Sequence, residues 1–187
     1  MKRPLNPQKL EDIFQYYLEN GFEHTTDEIV ASMGVSRKTF FNRYVSKLQS
    51  VEMANAYWFS RVQERFREKI LECNHPVEEL LMYIWEIHYI RENEQVFFQH
   101  GRDMNLFVSE EAPFMSMLAS IIQKGIRCYH FQEDINVELY SVYLLQNLSH
   151  YTFQNEDRVQ IIRYMLLPLL TERGLELLDD VDVLSFL

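Results

Sequence analysis

Apolar side chains recur along this chain with helical spacing, and polar residues interrupt them at intervals that mark where helices start and stop. Leu10, Ile13, Phe14, Tyr17 and Leu18 fall at i, i+3, i+4, i+7 and i+8, which predicts an amphipathic first helix ending at Asn20-Gly21. Thr25 with Glu28 three residues on has the form of a capping box for a helix beginning at Thr26. That helix is short, because Gly34 supplies the left-handed backbone that ends it. Ser36 is placed to cap a third helix, and Val35 can staple onto Phe40. Ile29, Val30 and Met33, with Phe40 and Tyr44, complete a small core with the first helix. Two short helices joined by Met33-Gly34-Val35-Ser36 read as a helix-turn-helix.

The pattern then lengthens. Ser46 and Gln49 suggest a second capping box, followed by Leu48, Val51, Ala54, Trp58, Val62, Phe66 and Ile70. This predicts a helix from Lys47 to about Glu72, roughly 39 Å long and able to join two halves of the molecule. Asn74-His75-Pro76 ends it and opens the next, with Pro tolerated in a first turn. Residues 77–95 are apolar over more than one face, so this helix is expected to be central. Gln95–Val108 reads as irregular around Gly101, with a short helix and a loop. Ala112-Pro113 opens a helix through about Tyr129, and Asp134 or Asn136 caps one through Tyr151 or Phe153. A last long helix, capped by Asn155, carries Val159, Ile162, Met165, Leu166, Leu169 and Leu170, with a kink or early end at Pro168. The tail ELLDDVDVLSFL either docks on the body or frays. No internal repeat or low-complexity segment is visible.

Composition agrees with this all-α reading. The chain has 187 residues, 47% of them hydrophobic, with five glycines and five prolines. Cys73 and Cys128 make no disulfide framework, no signal peptide is evident at MKRPLNPQKLEDIF, and no apolar run of about 18 residues suggests a membrane span. A cytoplasmic location is expected. The net charge of −10 is unevenly spread: residues 1–48 carry seven Lys/Arg and six Asp/Glu, whereas residues 49–187 carry eleven and twenty-two. A near-neutral head on an acidic body is compatible with DNA binding of modest non-specific affinity. Lys2 and Arg3 form a short basic arm before the head.

At 100° per residue, turning Phe40 and Tyr44 inward leaves Lys38 and Asn42 pointing outward, flanked by Thr39 and Phe41, with Arg37 in the first turn. Arg and Lys suit guanine O6/N7, Asn suits adenine N6/N7, and a Thr methyl packs on thymine. No metal site is expected, because the six histidines and two cysteines make no His-x3-His or Cys-x2-Cys arrangement. No cofactor is expected, and catalysis has no positive signal: a Gly-rich phosphate loop and a G-x-S-x-G elbow are both lacking.

The stretch TTDEIVASMGVSRKTFFNRYVSK resembles the DNA-binding signature of TetR-family transcriptional regulators, over about residues 10–55. The resemblance implies a helix-turn-helix DNA-binding domain over 1–48 and a helical ligand-binding and dimerisation domain over 49–187. By matching position, Thr26 and Lys47 contact phosphates while Arg37, Lys38, Thr39 and Asn42 face bases. Phe41 stands where a phosphate-binding tyrosine is usual, Arg43 takes over that contact, and Tyr44 occupies the place of a buried phenylalanine within the same recognition set. An unknown small-molecule effector is implied, for which Tyr83, His88, Tyr89, Phe98, Phe107, Met115, Tyr129, Tyr140 and Tyr143 are the candidate lining. Homodimerisation is implied through the last two long helices, with Leu144, Leu148, Tyr151, Ile162, Met165 and Leu169. The expected activity is that of a non-enzymatic, ligand-responsive repressor binding a palindromic operator as a homodimer. The rival reading is a helical small-molecule-binding or protein-interaction module that has lost operator binding.

Overall fold

The computed structural model describes residues 7–103, 113–150 and 158–181, and the described residues form ten helices and no strand. Helix α1 (Pro7–Asn20) ends at Gly21, whose φ of 76° lets its N–H return to the Tyr17 carbonyl at 2.9 Å. Helices α2 (Thr26–Ser32) and α3 (Arg37–Tyr44) follow, then the 24-residue α4 (Lys47–Ile70). Helices α5 (Pro76–Asn93) and α6 (Gln95–Asp103) precede α7 (Pro113–Arg127), α8 (Val137–His150), α9 (Arg158–Leu166) and α10 (Glu172–Asp180).

Local chemistry decides most of these boundaries. Asn136, not Asp134, caps α8, accepting from the Leu139 N–H at 2.9 Å. His75 caps α5 through Nδ1, with Pro76 in the first turn as expected. The expected capping box at Ser46 is only half formed. Ser46 Oγ accepts from the Gln49 N–H at 3.1 Å, but the Ser46 N–H goes to the Tyr44 carbonyl instead. Gly101 interrupts nothing; it is buried inside α6.

The last long helix expected from the sequence ends early, as Pro168 implied, and a further helix follows it that the sequence reading did not place. Helix α9 ends at Leu166, ahead of Pro168, and Thr171 restarts the chain as α10 by accepting from the Gly174 N–H at 3.1 Å. Residues 128–132 stitch this break to the end of α7. The Gln132 N–H donates to the Leu169 carbonyl and the Thr171 N–H to the His130 carbonyl. Packing there is close enough that a Cβ on Gly125 would lie 2.0 Å from a ring carbon of Phe131. The cap expected at Asn155, the ends expected at Tyr151 or Phe153 and the residues after Val181 lie outside the described residues.

One hydrophobic core runs from head to body. Ser50, Ala54, Trp58, Val62 and Phe66 form the buried line of α4, so Leu48 does not belong to the stripe and is exposed. Phe97 of α6 is stacked 5.0 Å from Phe14 of α1 and 5.6 Å from Trp58 of α4. Head and body therefore share an aromatic seam. Cys73 and Cys128 are free thiols.

His130 is buried with its Nδ1 unpartnered, and burial, Arg173 and His75 together lower its pKa below the usual 6.5. A base depressed in the folded state contributes stability above its unfolded pKa and loses it as pH falls through the folded value. The melting temperature of the wild type should therefore fall more steeply from pH 7.5 to pH 5 than that of His130→Gln. Parallel slopes in scanning calorimetry would contradict this.

Candidate nucleic-acid interface

The surface that would meet DNA is built by three caps. Thr25 Oγ1 accepts from the Glu28 N–H, and Glu28 Oε2 accepts from the Thr25 N–H at 2.7 Å, so the capping box expected at α2 is complete. The Thr25 N–H and the Thr25 hydroxyl, both donating to Glu28 Oε2, hold the Glu28 carboxyl below its ordinary pKa. Gly34, at φ 62°, turns the chain, and Ser36 Oγ accepts from the Thr39 N–H at 3.0 Å to start α3. Ser46 then starts α4.

Inside α3, Phe40 and Tyr44 are fully buried and their rings are 5.1 Å apart. Outside it, Arg37, Lys38, Phe41 and Asn42 are exposed, whereas Thr26, Thr39, Arg43 and Lys47 are half-buried. The arrangement brings together a polar and cationic ridge at the start of α3, with Lys47 at the N-terminus of α4 beside it. Two refinements follow. Thr39 Oγ1 is hydrogen-bonded to Ser36 Oγ at 2.9 Å, and Arg37 Nε is paired with Asp27 Oδ1 at 2.8 Å, both groups well exposed.

Tyr44 is a correction to the recognition set. Its hydroxyl donates to the Lys9 carbonyl of α1 at 2.9 Å, burial raises its pKa, and it offers nothing to a ligand. It is the pin that holds α3 against α1. Tyr44→Phe should cost about 1 kcal/mol in urea unfolding, while leaving the outer face of α3 unchanged.

Val45 joins α3 to α4 with φ 60° and ψ −44°, and the Ser46 N–H returns to the Tyr44 carbonyl at 2.6 Å. This is a γ-turn centred on a β-branched residue, a strained conformation. The side chain is 64% exposed and packs on little. Val45→Gly should raise unfolding stability by about 1 kcal/mol, the relief of strain exceeding the added chain entropy.

Of the aromatic residues proposed as a ligand lining, Tyr140 and Tyr143 share a cavity of about 430 Å³ with Ile135, Asn136, Leu139 and Pro168, and the others do not join it. Tyr83 is buried with its hydroxyl on the Phe114 carbonyl, and Tyr140 is buried with its hydroxyl on the Met165 carbonyl. Met115 and Phe98 are core residues. Tyr89 is half-buried, stacked on Trp85 beneath the Arg65 guanidinium, and His88 lies 3.3 Å from Arg91. Tyr129 and Tyr143 are exposed, and Phe107 lies outside the described residues. These positions are spread over several faces, because choosing by residue type ignores which face of each helix turns inward.

A different cleft, of about 310 Å³, opens between α4 and α7 above α5. It is lined by Phe66 and Ile70 of α4, Glu79 of α5, and Ser116, Met117, Ser120, Ile121 and Lys124 of α7. None of the aromatic candidates is among them. The residues expected at a dimer interface are also turned inward: Leu144, Leu148, Ile162, Met165 and Leu169 are all buried in the chain's own core, and Tyr151 lies outside the described residues. The outer faces of α8 and α9, with the turn after α9, carry Leu139, Tyr143, Tyr164 and Leu167 instead, with Leu139 and Tyr164 each 69% exposed.

A buried ionic cluster was not anticipated at all. Arg65 of α4 donates to Glu86 at 2.6 Å and to Glu94 at 2.8 Å, and Trp58 Nε1 donates to Glu94 at 2.5 Å. Burial raises the Glu86 pKa. Burial also works against the Arg65 charge, but the two carboxylates more than offset it. The one hint was Glu86 within the apolar run from Leu80 to Ile90 of α5, which marks a buried acid without naming its partner.

Among the described residues no group of three or more His, Cys, Asp or Glu side chains is arranged to hold a metal ion, and no helix is long and apolar enough to cross a membrane.

A helix-turn-helix head and an all-helical body joined through a long α4 define an architecture already seen in solved structures: it is the fold of a TetR-family protein. No protein-family model matches the sequence, and no curated protein matches it. CprB from S. coelicolor A3(2), described as a TetR family protein, superposes with a TM-score of 0.65 at 15% identity, over 91% of this chain and 92% of that one. A gamma-butyrolactone receptor, an ArpA-like protein, gives 0.66 at 14% identity over 92% and 93%. The ketosteroid transcriptional regulator KstR2 of Mycobacterium tuberculosis gives 0.62 at 17% identity over 88% and 94%.

Proposed function

We propose that this chain is a TetR-family transcriptional regulator, a non-enzymatic cytoplasmic homodimer that represses from a palindromic operator and is released by a small-molecule effector. The observation that carries the reading is α3 itself. A doubly capped helix-turn-helix buries Phe40 and Tyr44 and leaves Lys38 and Asn42, with Arg37 beside them, on its free face. The N-terminal residues of a recognition helix are those that reach base edges in the major groove. The whole-chain likeness to a transcriptional regulator and a receptor supports the same reading.

In this reading Lys38, Asn42 and Arg37 read bases, Thr39 and Phe41 pack beside them, and Thr26, Arg43 and Lys47 hold phosphates. In the same reading, dimerisation uses the exposed apolar side chains of α8, α9 and the turn after it (Leu139, Tyr143, Tyr164 and Leu167), and a palindromic operator requires the two heads to lie about 34–36 Å apart, on successive major grooves. The effector acts only through its differential affinity for dimers with different head spacing.

A second reading, a module that kept the fold and lost operator binding, draws on two observations. Phe41 has no hydroxyl to offer a phosphate, and Asp27 already pairs Arg37.

Selection of bound duplexes from random DNA, followed by a salt titration, separates the two. The regulator yields a palindromic consensus and an affinity that falls steeply with salt. A folded dimer that enriches no sequence at low salt is the second protein. Lys38→Ala and Asn42→Ala should change the preferred bases, at about 1–3 kcal/mol per lost base contact. Lys47→Ala should weaken every site alike and lower the salt slope by about 1.

A further inference from the structure

The cleft between α4 and α7 has an unusual floor. Glu79 is a carboxylate with only 4% of its side chain exposed, and its ion-pair partner, Lys124, is 50% exposed. The two halves of this pair are therefore unequal. The walls are apolar, made by Phe66 and Ile70 on one side and Met117 and Ile121 on the other. Ser120 lies one helical turn before Lys124 on α7, so no bulky side chain there closes the cleft or crowds the lysine. A volume of about 310 Å³ sits at the small end of the range for ligand sites.

The imbalance decides which ligands the cleft can accept. An anion that drew Lys124 away would leave the Glu79 carboxylate buried and uncompensated, a heavily penalised state. A cation that took over Glu79 would release Lys124 into water, where a flexible ammonium on a long stem is well solvated. Exchange of one ammonium for another at Glu79 is close to neutral in charge. Burial of an apolar body against Phe66, Ile70, Met117 and Ile121 then supplies the net gain.

We infer that this cleft is a binding site for a small amphipathic cation, its ammonium on Glu79 in place of Lys124 and its apolar body between α4 and α7. The site deepens the ligand-responsive reading above and rests on it only for the regulatory consequence. Phe66 and Ile70 belong to the helix that begins at Lys47 in the head, so an occupant presses on the element that head and body share.

The test titrates octylammonium and octanoate separately into the full chain at pH 7, followed by calorimetry and by chemical shifts of α4 and α7. Octylammonium should bind at least about tenfold more tightly than octanoate, and Glu79→Gln should weaken it at least about tenfold. Lys124→Ala removes the competing ammonium and should tighten octylammonium, again by about tenfold. Ser120→Leu fills the cleft from an exposed position and should abolish binding without unfolding the chain. No binding of octylammonium, equal or tighter binding of octanoate, or a Lys124→Ala variant that binds octylammonium more weakly would overturn the proposal. The Lys124 and Ser120 variants keep it falsifiable if Glu79→Gln does not fold. A protein that selects an operator but ignores octylammonium sinks the cleft proposal alone. One that binds octylammonium through Glu79 but selects no DNA sinks the regulator reading alone.

Discussion

The orientation of α4 depends on Arg65. Its guanidinium reaches two carboxylates on different turns of the body, Glu86 within α5 and Glu94 at the end of it, and Glu94 also accepts from Trp58 one face-length back along α4. Each of these groups is costly to bury alone. Together they hydrogen-bond one another and the guanidinium offsets part of the carboxylate charge, so the cluster persists only in one rotation and one register of α4 against α5. A purely apolar seam would permit small slides of the helix. A buried ionic seam penalises them, because any slide strands a charge. Glu86 retains one unpartnered oxygen, and burial raises its pKa, so even the native arrangement is not fully satisfied.

What this fixes is the platform on which the helix-turn-helix head stands. Trp58 belongs both to the ionic cluster and to the aromatic seam, through its stack on Phe97. Phe97 in turn meets Phe14 and Phe22, the latter in the turn after α1. Tyr57 and Arg61 of α4 add bonds to Glu11 of α1 on the outer side. The head is therefore not tethered by a linker. It is clamped to α4 and α6 by rings within and ions without, and a shift of α4 is transmitted to α1 by contact.

Legibility in the sequence followed the range of the interactions. The caps at Thr25, Ser36 and Ser46 involve partners three residues away, and their chemistry could be read directly from the letters. The stripe of α1 and most of the stripe of α4 were equally plain, because a helix repeats its faces every few residues. The break between α9 and α10 was half visible: Pro168 announced a stop, but the restart at Thr171 depends on the backbone of residues 129–132, about forty positions earlier. The buried carboxylates were not legible. Glu86 finds Arg65 across 21 residues and Glu79 finds Lys124 across 45, and nothing in the local pattern of α5 names either partner. The dimer and ligand residues chosen by apolar or aromatic type were mostly core for the same reason. Residue type says that a side chain is to be covered, and only packing says by what.

The outer face of α3 is free to vary with little effect on this frame. Phe40 and Tyr44 carry the packing and the bond to α1, so the exposed side chains bear little of the structural load. Arg37 illustrates the consequence. Its pairing with Asp27 is fully at the surface, and exposed ion pairs contribute only about 0–1 kcal/mol. A bidentate contact to guanine contributes about 1–3 kcal/mol of discrimination. Under the proposed function, the guanidinium is held by a partner too weak to keep it once a base edge is offered, and Asp27 would be left facing the polyanion. That repulsion would fall on every sequence alike, whereas a gain from Arg37 would fall only on sites that present the right base. An acidic residue beside a base-reading arginine would therefore lower non-specific affinity more than specific affinity, and a net charge of −10 with a near-neutral head would act in the same direction.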